Sequence, residues 1–117
     1  MNADAVDKSV AATARPGSGT DLGRLEKNAA KACELLAAMA NPSRLMILCQ
    51  LAEGERSVGD LQPGVGLSQS ALSQHLAILR QKGLVSTRRS GQSIFYSLAS
   101  EQAESLMQTL HDQFCKD

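Results

Sequence analysis

The sequence has no tryptophan, one tyrosine and two phenylalanines among its 117 residues. A core built with so few rings must be filled by Leu, Ala and Met, which favours helices. No apolar run approaches the roughly 20 residues needed to cross a bilayer, so no membrane partner is expected. The first residues lack the basic start and apolar stretch of a signal peptide, which points to a cytoplasmic location. Cysteine is scarce and odd in number: Cys33, Cys49 and Cys115. Such a set argues against a structural disulfide framework. There is no phosphate-binding glycine loop, no carboxylate pair in a pocket-like context and no supported Ser/His/Asp pattern. Neither an enzyme nor a cofactor is expected.

Net charge is also missing, because 12 Lys and Arg balance 12 Asp and Glu. A neutral chain is, on average, a poor partner for phosphate. The distribution answers part of that objection. Arg80, Lys82, Arg88 and Arg89 fall within ten residues that contain no Asp or Glu, while the acidic residues lie elsewhere, for example Asp4, Asp7 and Asp21 near the start and Glu101, Glu104, Asp112 and Asp117 near the end. A solvated charge run remains the plain alternative to a phosphate-facing patch.

The basic stretch follows the most informative segment, Ser57 to Leu79, SVGDLQPGVGLSQSALSQHLAIL. It reads as two helices joined by a tight turn. Val58 and Leu61 mark a short first helix, which Pro63 should end near Gln62 or Gly64. Gly64 or Gly66 can take the positive φ of the helix end. Ser68 suits the N-cap of the second helix, with Ala71, Leu72, Leu76 and Leu79 facing inward at helical spacing. The opposite face holds Gln69, Ser70, Ser73, Gln74 and His75, all polar and none a Lys or Glu. A face of short amides and hydroxyls suits hydrogen bonding to base edges in a major groove. His75 reads equally well as a surface residue without a partner.

The rest of the chain frames that unit. Residues 1–20 are rich in Ala, Ser, Thr and Gly and read as a disordered tail, with the folded domain at 21–117. Leu25, Ala29, Ala32, Leu35, Leu36 and Met39 stripe a helix from about Leu22 to Ala40. Asn41 and Pro42 end it and start another, to about Glu53, with Leu45, Leu48, Cys49 and Ala52 on one face. After a Lys82-Gly83 cap, residues 84–89 and 93–98 read as strands around Ser90-Gly91-Gln92. A hairpin there is a wing, and Arg88, Arg89 and Gln92 at its tip can reach phosphates or a minor groove. Ser100 can cap a last helix striped by Ala103, Leu106, Met107, Leu110 and Phe114. The first and last helices carry more apolar surface than a small core needs, so a dimer through these two is expected. The fold class is therefore mainly α with a β-hairpin wing.

The segments LLAAMANPSRLMILCQLAEGERSVGDL and GLSQSALSQHLAILRQKGLVSTRRSGQSIFYSL closely resemble the ArsR/SmtB family of dimeric bacterial winged-helix repressors. The resemblance covers about Leu25 to Cys115. It implies a homodimer on inverted-repeat, double-stranded operator DNA, read by Gln69, Ser70, Ser73, Gln74 and His75, with Ser68 at the helix end on a phosphate and Arg88, Arg89 and Gln92 on the backbone. Many members sense metals, but two of their sites are vacant here. The arsenic- or cadmium-type motif ELCVCDL is replaced by Glu55 to Leu61, with Ser57 and Gly59 where the cysteines belong. The zinc-type site needs Asp-x-His and His-x-x-Glu pairs, and the last helix offers only His111.

Cys49 and Cys115 remain, and their placement is similar to the persulfide- and redox-sensing branch of the family, the BigR, SqrR and HlyU type. That similarity implies a reactive sulfur species as inducer and release of DNA once the two thiols are bridged. Read without it, Cys49 on an apolar face fits a small buried hydrophobe. Cys115, beside His111, Asp112 and Lys116, fits an accessible thiol. Two other readings stay open: a metal sensor drawing on Cys33, Cys49, Cys115 and His111, and a winged-helix module for a protein partner.

Overall fold

A computed structural model of the chain describes residues 18–115. Most of the expected N-terminal tail, residues 1–17, lies outside the described residues, as does Lys116. The elements run α1 (Ser18–Met39), α2 (Pro42–Ala52), β1 (Arg56–Ser57), α3 (Val58–Val65), α4 (Gln69–Gln81), β2 (Val85–Ser90), β3 (Ser93–Leu98) and α5 (Glu101–Phe114). The chain divides into two units, 1–32 and 33–117. The described part of the first is the leading part of α1, which starts at Ser18 rather than near Leu22. Its Leu22 and Leu25 are exposed.

The second unit holds the core and the helix-turn-helix. Caps set its helices. The Asn41 side chain accepts from the Arg44 amide, and Pro42 occupies the first turn of α2. Ser68 caps α4 through the Ala71 amide, and Ser100 caps α5 through the Ala103 amide. Each cap satisfies an amide that the helix itself leaves unpaired.

The helix α3 runs past the expected stop, and Pro63 lies inside it. Two features hold it. Ser57 and Asp60 form a reciprocal capping box at its start. At its end Gly66 takes φ 67°, and its amide donates to the Gln62 carbonyl. The two glycines therefore divide the work. Gly66 supplies the left-handed cap, while a Cβ at Gly64 would collide with the Gln50 side chain of α2.

Ile47, Leu48 and Leu51 of α2 pack with Leu61, Leu72, Leu76, Leu79, Ala103 and Met107 in one buried cluster. The buried face of α2 is thus turned from the expected stripe. Leu48 is shared, but Ile47 and Leu51 are buried while Ala52 is exposed. The cause is that α2 has apolar residues on two sides. One meets the helix-turn-helix, and Leu45 and Cys49 look towards α5.

The wing is three-stranded, in the order β1-β3-β2, all antiparallel. Its hairpin pairs Val85 with Leu98 through to Ser90 with Ser93, and Gly91 turns the tip at φ 63°. The two-residue β1 was not visible to periodicity, which needs longer runs. No single helix among the described residues is long and apolar enough to cross a membrane.

Candidate DNA-reading surface and a two-cysteine cleft

The helix α4 buries Leu72, Leu76 and Leu79 and exposes Ser68, Gln69, Ser70, Ser73 and Gln74. Five of the six residues expected to contact DNA from this helix and its cap are therefore exposed. The sixth, His75, is half-buried. Its Nδ1 lies 3.4 Å from a guanidinium nitrogen of Arg44, whose Nε donates to the Ala38 carbonyl at 2.8 Å. The imidazole accepts that bond only in the tautomer with Nδ1 unprotonated. Arg44 so links the start of α2 to the reading helix. Neither expectation for His75, base contact or idle surface residue, includes this partner.

At the wing, Arg88 is exposed but engaged. Its Nε and a terminal nitrogen donate to the two carboxylate oxygens of Glu55 at 2.8 Å each. Its guanidinium carbon lies 4.8 Å from the centroid of Phe95. Hydrogen bonds from Arg88 hold the Glu55 carboxyl below the usual carboxylate range. Arg89 and Gln92 are exposed beside the tip, and Arg89 Nε donates to the Gly91 carbonyl at 3.3 Å. The hairpin register puts Arg88 opposite Phe95 and could have suggested their contact; Glu55 gave no such signal.

A second feature lies between α2 and α5. A cleft of about 310 Å³ is lined by Leu45, Met46, Cys49, Met107, Leu110, His111, Phe114 and Cys115. Cys49 is half-buried and Cys115 exposed, and both are free thiols. Burial, foremost, pushes the Cys49 thiol up from its ordinary range; electrostatic repulsion from the neighbouring Cys115 and Glu53 groups adds to this. Cys33 is exposed on α1 and does not line the cleft. His111 shares the cleft with the two thiols. Even so, no three His, Cys, Asp or Glu among the described residues gather closely enough to hold a metal ion.

A recognition helix seated in a three-helix core and followed by a wing is the geometry of a DNA reader. Residues 41–87 match the family described as bacterial regulatory protein, arsR family. The chain is 51% identical over 100 residues to the transcriptional activator HlyU of Vibrio cholerae, covering 86% of this chain and 93% of HlyU. This chain belongs to the ArsR family. It is a DNA-binding transcriptional regulator and not an enzyme. The structure of reduced HlyU from Vibrio cholerae superposes on this ArsR-family chain with a TM-score of 0.76 at 53% identity, over 80% of this chain and 98% of that one. A biofilm growth-associated repressor of Agrobacterium fabrum is 45% identical over 91 residues, 78% of each chain. A homodimeric winged helix-turn-helix DNA-binding domain from Mycobacterium bovis is similar at 32% identity and a TM-score of 0.67, over 79% of this chain and 88% of that one. One of these ArsR-family relatives is named an activator and another a repressor.

Proposed function

We propose that this ArsR-family regulator is a cytoplasmic, homodimeric repressor whose operator affinity is switched off by a sulfur bridge between Cys49 and Cys115. The observation that carries the reading is their shared cleft, although one belongs to α2 and the other ends α5. Similarity to HlyU, which has been solved in a form named as reduced, supports a thiol-based role. Similarity to a homodimeric relative supports the dimer, as do the exposed Leu36 of α1 and Phe114 of α5.

In the reduced dimer each α4 enters one of two successive major grooves of an inverted repeat, about 34 Å apart. Gln69, Ser70, Ser73 and Gln74 meet base edges. His75 presents its outer edge while Arg44 fixes its ring. Ser68 sits at the helix start, where the dipole and free amides favour a phosphate. Arg88, Arg89 and Gln92 approach the backbone from the wing.

The inducer is a persulfide or another reactive sulfur species. Cys115, being exposed, attacks the outer sulfur of a persulfide, RSSH, takes it up and releases RSH. The Cys49 thiolate then attacks the Cys115 sulfur and expels sulfide. In sum, two thiols are oxidised, the sulfane sulfur leaves as hydrogen sulfide, and a Cys49–Cys115 disulfide forms. A second persulfide would leave an extra sulfur in the bridge. A direct disulfide holds the two Cα atoms within about 7 Å, which fixes the end of α5 on α2. From α2 the constraint passes through Arg44 to His75 on the reading helix. A coupling of about 1–3 kcal/mol changes affinity roughly 5- to 150-fold.

The test is equilibrium binding of an operator duplex, selected from random sequence, to the reduced and the persulfide-treated protein. Weaker binding after treatment, restored by dithiothreitol, is the expected result. Equal affinity in both forms removes the switch.

A further inference from the structure

The pairing of Glu55 with Arg88 serves neither base reading nor thiol chemistry. It is nevertheless the shortest ion pair among the described residues, with both oxygens engaged. The fold is arranged to make it. Across the sheet Arg88 lies opposite Phe95, and Phe95 opposite Ser57; Glu55 is two residues before Ser57, the spacing that returns a side chain to the same face of a strand. Glu55 immediately precedes β1. Two parallel charge-assisted bonds to a planar fork are also how arginine takes a phosphodiester, which offers a similar pair of anionic oxygens.

We propose that Glu55 is a built-in stand-in for the DNA phosphate: it occupies the fork of Arg88 in the free protein, and the backbone must displace it before that arginine can grip. This rests on the reading that the wing meets DNA, and it adds a residue which limits affinity for any duplex, operator or not. The chain has no net positive charge to spare, so one masked arginine is a large share of the local field. Arg89, whose Nε donates to the Gly91 carbonyl and which forms no ion pair among the described residues, is a readily available cation of the wing. A restrained wing lowers the sequence-independent part of binding and leaves more of the total to the face of α4.

The experiment uses the full-length reduced protein as parent, Glu55→Gln, Glu55→Gln with Arg88→Ala, and Arg89→Ala. Binding to the selected operator duplex and to a scrambled duplex is followed from 50 to 200 mM salt. Glu55→Gln is expected to bind both duplexes more tightly at low salt. Because Arg88 reaches the phosphate in both complexes once Glu55 is displaced, the log–log salt slope should stay close to the parent's. The added Arg88→Ala should abolish the gain. Glu55→Ala serves as a second variant with the same expectation. If Glu55→Gln binds like the parent while Arg89→Ala weakens binding, the proposal is overturned and the wing stays on DNA. If the gain survives Arg88→Ala, simple loss of a repulsive charge explains it and the masking is overturned. If Arg89→Ala has no effect, the wing leaves the DNA and both readings fall.

Discussion

Cys49, near the end of the second helix, and Cys115, which caps the last, line one apolar cleft. Neither is a group on the reading face. The switch and the reader are therefore separable by mutation. Cys49→Ser and Cys115→Ser are each expected to bind the selected operator within about twofold of the parent, and neither should lose affinity after persulfide treatment. Fluorescence anisotropy of a labelled duplex measures both properties in one titration. A coupling in the usual 1–3 kcal/mol range makes the parent's response large enough to see.

The two thiols should differ in reactivity. Burial raises the Cys49 pKa, so at neutral pH fewer Cys49 thiols are ionised, and only the thiolate attacks. Alkylation by iodoacetamide, followed by peptide mapping, should label Cys115 first. Cys49 labelling should climb only on the alkaline side of an ordinary thiol. The linkage has a matching sign. A folded-state pKa raised above the unfolded one contributes stability below the unfolded pKa, and this is lost as pH rises through the folded pKa. The thermal midpoint should therefore fall with alkaline pH, and Cys49→Ser should remove that component.

Sequence reading and phosphate binding should also separate. Gln69→Ala or Gln74→Ala is expected to cost about 1–3 kcal/mol of discrimination between operator and scrambled duplex. Arg89→Ala should weaken both duplexes alike and make the salt slope shallower by about 0.9. Binding isotherms at several salt concentrations distinguish the two patterns.

Arg44 ties three elements: the Ala38 carbonyl of α1, its own helix and His75 of α4. Arg44→Ala should destabilise folding by about 1–3 kcal/mol, because it leaves a part-buried carbonyl and imidazole without their donor. Leu72→Ala, in the fully buried cluster, should cost about 2–5 kcal/mol. Urea unfolding measures both. Arg44→Ala should in addition weaken operator binding when the protein is still fully folded, which a loss of stability alone does not explain.

Much of the site was legible because local rules act over three or four residues. Asn41, Ser68 and Ser100 are caps in the structure as their sequence neighbourhoods implied. The polar face of α4 followed from its helical period. Ser57-Val58-Gly59-Asp60 carries a capping-box pattern that is equally legible in the sequence. What stayed hidden depends on contacts between distant segments. Glu55 meets Arg88 only because β1 joins the wing, and the half-buried His75 has a partner in Arg44, which lies 31 residues earlier in the chain. The buried face of α2 differs from its sequence stripe because both sides of the helix are apolar, and periodicity cannot tell which side a neighbouring helix will cover. The shared position of Cys49 and Cys115 was implied by family resemblance, and no spacing rule would have given it.

The most direct test is intact-mass analysis with peptide mapping of the reduced protein after glutathione persulfide and, separately, after peroxide or oxidised glutathione. The expected result is a Cys49–Cys115 crosslink after persulfide, as a disulfide or with added sulfur, and no bridge to Cys33. Modified but unbridged thiols, or no modification of Cys49 at all, would contradict the switch and return Cys49 to the role of a packing residue.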